Sequence, residues 1–230
     1  MKTVSVIIAA AGSGTRMGGI PKQLSDLNGK PVIIHSMEVF DKIEAVTEII
    51  VVTRTEYIET VRSAAEKYGI TKPLKFAEGG DTRQQSVING LKQASPKTEL
   101  IAVHDAARPL VKEEYVLRCI RDAEVFGGAV LGVPVKDTIK EAEGGLVKDT
   151  PDRSRLYIIQ TPQIFSRELY VKGVNFALRN ELDFTDDCQL AESVGGTVNI
   201  TMSDYCNIKI TTPEDMKIAE ILSKNEEKIV

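Results

Sequence analysis

Val4-Ser5-Val6-Ile7-Ile8-Ala9-Ala10-Ala11-Gly12-Ser13-Gly14-Thr15-Arg16-Met17-Gly18-Gly19-Ile20-Pro21-Lys22 is an apolar run that breaks into small residues and then meets an arginine and a lysine. A buried strand opening into such a turn reads as a phosphate cradle. Polyphosphate oxygens need closely spaced backbone N–H donors, and only residues with little or no Cβ let the main chain come that near. Gly12 and Gly14 supply the approach. Arg16 adds a planar fork that can grip two oxygens, and Lys22 a point charge on a flexible stem. Two familiar phosphate loops fail on spacing: a Walker loop needs Gly-x-x-x-x-Gly-Lys-Ser/Thr, and the dinucleotide fingerprint needs a third glycine where Met17 stands. An ordinary strand-to-loop turn would account for Gly-x-Gly alone. Arg16 and Lys22 in the same turn favour the cradle.

Outward from this turn, short β-branched runs alternate with helical patterns: Val4–Ile8 then Val32–Ile43, Glu48–Val52 then Tyr57–Tyr68, Leu74–Phe76 then Arg83–Ala94, Leu100–Val103 then Glu113–Val125, and Ala129–Val133. Strands separated by helix-length segments require crossover connections. Their continuous apolar character means that both faces are covered. The fold class is therefore α/β: a Rossmann-like, mainly parallel sheet with helices on both faces. Helix starts are legible at Asp81-Thr82-Arg83-Gln84, with Asp81 as N-cap, and at Thr212-Pro213-Glu214-Asp215. Ile218, Ile221 and Leu222 form the apolar stripe expected of the last helix. Over residues 137–157 the pattern changes to alternation around Gly144-Gly145, which suggests a β-hairpin arm projecting from a single domain of residues 1–230. Such an arm can hardly bury itself alone, which makes it a candidate dimer contact; a hairpin folded back over its own domain is the alternative.

Hydrophobic residues make up 42% of the 230 residues and charged residues 27%, with a net charge of -4. These values point to a globular protein without the broad basic face that nucleic acid or a membrane surface would need. Met1-Lys2 followed by Val4–Ala11 imitates a signal peptide, but the apolar run is minimal and carries one leading charge. No stretch reaches the roughly 20 apolar residues that span a bilayer. Three cysteines, Cys119, Cys188 and Cys206, cannot all pair within the chain, which fits a reducing cytoplasm.

In open parallel sheets ligands bind beyond the carboxyl ends of the strands, and the informative residues cluster at three such ends. These are the glycine turn, Glu78-Gly79-Gly80-Asp81-Thr82-Arg83-Gln84-Gln85-Ser86, and His104-Asp105-Ala106-Ala107-Arg108-Pro109. Asp105, a lone carboxylate at a strand tip, suits a Mg²⁺ that takes its other oxygens from water and substrate phosphates. His104 would serve as a general base or as a turn hydrogen-bonder, and the turn is preferred; His35 reads as structural. Gly79-Gly80 and Ser86 offer hydrogen-bonding groups to a base edge or phosphate. Cys188 reads as a buried thiol. Asp186 and Asp187 would cap the following helix or, less favourably, hold a second metal.

The ordered set Ala10–Met17 with Pro21-Lys22-Gln23, Gly79–Val87, Val103–Pro109, Asp137-Thr138, Gln160-Thr161-Pro162-Gln163, Thr185-Asp186-Asp187 and Asn207–Thr211 closely resembles the 2-C-methyl-D-erythritol 4-phosphate cytidylyltransferase family over nearly the whole length. The resemblance implies a GT-A-like nucleotidyltransferase that takes CTP and a sugar-alcohol phosphate to a CDP-alcohol and pyrophosphate with Mg²⁺. It assigns charge stabilisation to Arg16 and Lys22, and Mg²⁺ binding to Asp105. Ala10, Ala11, Gly80, Asp81 and Ser86 match its cytidine pocket, Arg83 and Ala106 its ribose side, and Thr138, Arg153 and Lys209 its sugar-phosphate side. It also implies a homodimer in which the arm completes a neighbour's active site. Cys206 stands where some relatives have aspartate, leaving Asp204 as a weak candidate for a further metal ligand. The rival within the fold is ribitol 5-phosphate cytidylyltransferase; rivals of other classes are a catalytically silent nucleotide-binding module and a dehydrogenase.

Overall fold

The computed structural model describes residues 1–12 and 21–226. Its centre is a seven-stranded sheet in the order β11-β7-β10-β6-β1-β4-β5. These strands are β1 (Val4–Ala9), β4 (Val46–Thr53), β5 (Leu74–Glu78), β6 (Leu100–Asp105), β7 (Gly128–Pro134), β10 (Tyr157–Ser166) and β11 (Asn199–Met202). Strand β1 pairs in parallel with both β4 and β6, β4 with β5, and β11 with β7; β10 alone runs against its neighbours β6 and β7. The chain leaves β1 toward one edge and returns through β6 on its other side. That reversal opens a crevice beyond the carboxyl ends of β1 and β6.

Both faces of β1 are buried, which explains its unbroken apolar run. Val4, Val6 and Ile8 pack with α1 (Val32–Lys42), α2 (Ile58–Lys67) and α4 (Glu113–Phe126), through Ile33, Met37, Phe40, Val61, Ala65, Val116 and Ile120. Ile7 faces the other way, toward α3 (Arg83–Gln93), α5 (Arg167–Arg179) and α6 (Asp187–Glu192), with Val87, Ile88, Leu91, Tyr170, Val174 and Leu190. Strands and helices thus fall within a residue or two of the sequence expectation, fraying at the ends where the hydrogen-bond ladder runs out.

Two expectations need correction. Thr82, not Asp81, caps α3: its backbone is extended and its Oγ1 accepts from Gln85 N at 3.1 Å, so Asp81 is left to the crevice. On α7 (Pro213–Glu226) the buried face is Met216 and Ala219 with Leu222, while Ile218 and Ile221 are exposed. The reason is the partner surface. Helix α7 closes a small third cluster with Leu27 of β2 (Asp26–Leu27), Val32, Leu110 and Ile210, beside the short hairpin of β2 and β3 (Lys30–Pro31). Only one stripe of the helix meets that cluster.

The arm is an antiparallel hairpin of β8 (Glu141–Glu143) and β9 (Leu146–Asp149). Gly144 and Gly145 take φ of 58° and 81°, the left-handed pair a two-residue hairpin turn demands. It is exposed along its length, with Leu146 at 76% and Val147 at 62% of full exposure, so the fold-back alternative does not hold.

Candidate active site

The crevice, about 530 Å³, is lined from four strand ends: Ala9 to Gly12 after β1, Arg54 to Glu56 after β4, Glu78 to Arg83 with Ser86 after β5, and Asp105 to Ala107 after β6. Lys22, Gln23 and Lys209 complete it. Of the residues singled out from sequence, Ala10, Ala11, Gly12, Lys22, Gly80, Asp81, Arg83, Ser86, Asp105, Ala106 and Lys209 meet in this one hollow. Gly14 and Arg16 lie outside the described residues. Thr138 and Arg153 stand on the exposed arm, where Arg153 Nη1 donates to Lys136 O at 2.7 Å, and the fold does not bring them to the crevice of their own chain.

The small residues allow a close approach of the loops. A Cβ on Gly79 would stand 2.3 Å from that of Ala11, so the β1 and β5 loops touch only because Gly79 has none. Gln23, buried, reaches back to donate its Nε2 to Ala10 O at 2.7 Å and holds the β1 loop open. Ser86 organises the β5 loop: Gly80 N donates to its Oγ at 3.0 Å, and its hydroxyl donates to Thr82 O at 2.9 Å.

Asp105 is the charged focus. Lys209 Nζ lies 2.6 Å from Oδ2, Arg83 Nε 3.7 Å from Oδ1, and Arg108 Nε 4.0 Å from Oδ2. Burial alone would push its carboxyl up, but Lys209, Arg83 and Arg108 outweigh that and hold its pKa at about 2. Its backbone is pinned as well. Asp105 N donates to Thr161 Oγ1 at 3.0 Å, and Thr161 Oγ1 lies 3.1 Å from His104 Nδ1. Arg108 O, 3.2 Å from Nε2, can only accept, so the hydrogen of the neutral ring sits on Nε2 and Nδ1 accepts from the Thr161 hydroxyl. Burial lowers the pKa of His104 to about 4, so the ring is a neutral link in this chain and the turn role expected for it is the one observed. His35 is structural too, with Nε2 2.9 Å from Leu27 O.

Lys209 owes its place to its neighbours rather than to any strand. Asn207 and Ile210 are fully buried, Arg108 Nη1 donates to Asn207 O at 2.7 Å, and Ile210 N donates to Ala107 O at 2.8 Å. The segment is thereby laid along the β6 loop with Lys209 aimed at Asp105. The three aspartates weighed for a second metal are engaged elsewhere. Asp186 caps α6, accepting from Gln189 N at 3.2 Å. Asp187 is the first residue of α6 rather than its cap, and its side chain is paired with Arg83 Nη1 at 2.6 Å. Asp204 takes Lys112 at 3.1 Å and the Tyr115 hydroxyl at 3.0 Å, away from the crevice. Among the described residues no group of three or more His, Cys, Asp or Glu side chains is placed to hold a metal ion. Cys188 is a buried thiol whose pKa burial pushes up, and none of the three cysteines is in a disulfide. No helix among the described residues is long and apolar enough to cross a membrane.

Gln23, Thr161, Arg108 and Asn207 had no role assigned from sequence. The available signal was polar residues inside otherwise apolar elements, as in Gln160-Thr161-Pro162-Gln163 within β10.

The family model for IspD: 2-C-methyl-D-erythritol 4-phosphate cytidylyltransferase matches residues 4–225. A 2-C-methyl-D-erythritol 4-phosphate cytidylyltransferase of Caldanaerobacter subterraneus subsp. tengcongensis is 46% identical over 95% of this chain and 97% of its own. The chloroplastic enzyme of that name from rice, Oryza sativa subsp. japonica, is 43% identical over 96% of this chain and 74% of its own. Among solved structures, the 4-diphosphocytidyl-2C-methyl-D-erythritol synthase of Anaerococcus prevotii superposes with a TM-score of 0.86 at 33% identity, covering 97% of this chain and 96% of that one.

Proposed function

The chain belongs to the 2-C-methyl-D-erythritol 4-phosphate cytidylyltransferase family, and from that premise we infer that its crevice transfers the cytidylyl group of CTP to 2-C-methyl-D-erythritol 4-phosphate, releasing pyrophosphate. This is a nucleotidyl transfer serving isoprenoid biosynthesis. The observation that carries it is the meeting of Lys22, Arg83, Lys209 and ionised Asp105 in one hollow with the Ala10–Gly12 and Gly79–Ser86 loops.

The attacking group, a phosphate, is already an anion, so little base catalysis is needed; the barrier lies in bringing negative charges together. Lys22 neutralises charge on the triphosphate, and Arg16, outside the described residues, joins it. Lys209 and, from the arm, Thr138 and Arg153 receive the sugar phosphate. Ala10, Ala11, Gly12, Gly14, Gly80, Asp81 and Ser86 take the cytidine and its phosphates; Arg83 and Ala106 take the ribose side. The Ser86 hydroxyl spends its hydrogen on Thr82 O, so toward a ligand it is an acceptor and suits the exocyclic amine of cytosine over the carbonyl of uracil. Ser86→Ala should narrow the preference for CTP over UTP.

Asp105 fits Mg²⁺: it is an ionised hard-oxygen donor on the crevice wall, and a single protein carboxylate suffices where substrate phosphates and water supply the remaining oxygens. When bound there, the ion would supply further neutralisation of the phosphate oxygens.

The arm exposes Ile139, Leu146 and Val147, and in the dimer we propose a second copy covers them and takes Thr138 and Arg153 into its crevice. Each chain then supplies half of two sites. Mixing Lys22→Ala with Arg153→Ala chains should restore about a quarter of wild-type turnover, because half the dimers are mixed and each has one intact site. No recovery in a proven mixed dimer would rule the shared site out. The main test is CTP-dependent pyrophosphate release with methylerythritol phosphate against ribitol 5-phosphate. Turnover with ribitol 5-phosphate alone would overturn the substrate reading. The family assignment disfavours the ribitol enzyme, the silent module and the dehydrogenase. The free thiols of Cys119, Cys188 and Cys206 suit a reducing compartment, and on that ground we assign the enzyme to the cytoplasm.

A further inference from the structure

We propose that Asp187 is a positioning residue for the nucleotide site, a buried tether that, steadied by Tyr170, holds the Arg83 guanidinium where it faces the crevice. The proposal rests on reading the crevice as a CTP site. Arg83 is the first residue of α3 and its side chain is 28% exposed, on the crevice wall. A long side chain at a helix start would sample several rotamers unless something behind it held one. Asp187, 2% exposed, does this: its Oδ2 lies 2.6 Å from Arg83 Nη1. Its Oδ1 accepts from the Tyr170 hydroxyl at 2.5 Å. Tyr170 is fully buried and stacks on Phe165 of β10, with ring centroids 5.4 Å apart. The backbone of Asp187 is held too, its N–H donating to Gln163 Oε1 at 3.0 Å.

Each carboxylate oxygen therefore has a fixed partner, and the carboxylate can neither rotate nor slide. Asp187 takes the guanidinium at Nη1, which leaves its Nε edge turned to Asp105 and the ligand space. Burial works against the charge on Arg83, but Asp187 and Asp105 keep it protonated. A buried ion pair is a poor source of net stability, since desolvation offsets most of the attraction. Removing one partner, however, leaves the Arg83 charge without compensation behind the crevice wall, so Asp187→Asn should also lower the melting temperature, and the tether itself is read in ligand affinity and in the motion of Arg83.

The test uses the full chain with CTP and Mg²⁺. Asp187→Asn should raise the KM for CTP roughly tenfold with kcat little changed, and Tyr170→Phe should do the same more weakly. On the unliganded protein, the Arg83 side-chain ¹⁵N resonances should show hindered guanidinium rotation in the wild type and free rotation in Asp187→Asn. In the Arg83→Gln background, Asp187→Asn should cost nothing further. Variants that shift only the melting temperature, with KM and the Arg83 resonances as in wild type, would overturn the tether, as would additive effects in the double variant. A wild-type protein that binds no CTP would sink the functional reading alone, because the resonances still decide the tether.

Discussion

Two buried carboxylates occupy opposite ends of the same sheet. At the amino end Glu48 of β4 sits in register with Ser5 of β1; at the carboxyl end Asp105 of β6 sits in register with Ala9. Glu48 is closed in. Its Oε1 accepts from Ser5 Oγ at 2.5 Å and Ser95 N at 2.6 Å, and its Oε2 pairs with Lys75 at 2.7 Å. Ser5 Oγ also lies 2.7 Å from Thr98 Oγ1, and neither residue lines the crevice. Among the described residues Asp105 holds only Lys209 at close range, with two guanidinium groups standing farther off and the crevice in front. Both carboxyls are held below their ordinary values, so burial and a shifted pKa do not by themselves mark function. What marks it is coordination left unspent beside a cavity.

Variants at the two ends should therefore separate activity from stability. The largest loss is expected at the open end from Lys22→Ala: turnover falls by about a thousandfold or more, while circular dichroism shows the fold intact. Near-normal pyrophosphate release would break the comparison. Asp105→Asn should lower turnover by roughly a hundredfold or more, with a small change in melting temperature because Arg83 retains Asp187 and Arg108 retains its carbonyl partners. Glu48→Gln should do the reverse: turnover within about twofold of wild type, and stability lower by about 1–3 kcal/mol in urea denaturation. In thermal melts that corresponds to roughly 2–12 °C. A catalytic defect in Glu48→Gln with full stability would erase the distinction.

The smallest effect sharpens the same point. Burial would raise the Glu48 carboxyl, but Lys75, Ser5 and Ser95 bring it below the ordinary 4.5. The folded state then favours the ionised form, so this contribution to stability is present above pH 4.5 and fades as pH falls through the lower folded value. The stability gap between wild type and Glu48→Gln should hold constant from pH 7 to about 5 and close below that. A gap that widens on acidification would contradict the assignment.

Much of the open end was legible because its chemistry is local. Gly12, Gly79-Gly80 and the tip residue Asp105 follow apolar strands directly, and a strand end in a parallel sheet has only one place to present its loop. The tethers were not. Gln23 acts on Ala10, Thr161 on Asp105 and Asp187 on Arg83, the last across 104 residues, and no short-range pattern encodes such pairings. Asp81 was misread as a cap because the choice between adjacent Asp and Thr turns on one backbone torsion. Ile218 and Ile221 were misread because a helix with several apolar positions does not say which stripe its neighbours will cover.

From the sequence alone came the α/β class, the strand ends that carry the chemistry, the hairpin arm and the family, since these depend on periodicity and on residues contiguous in the chain. Only the tertiary structure decided that β10 runs in reverse, that Lys209 lies against Asp105 while Asp204 is taken up by Lys112, and that the arm leaves Arg153 outside its own crevice. Those outcomes come from packing between distant segments, as where the burial of Asn207 and Ile210 beside the β6 loop aims Lys209 at Asp105.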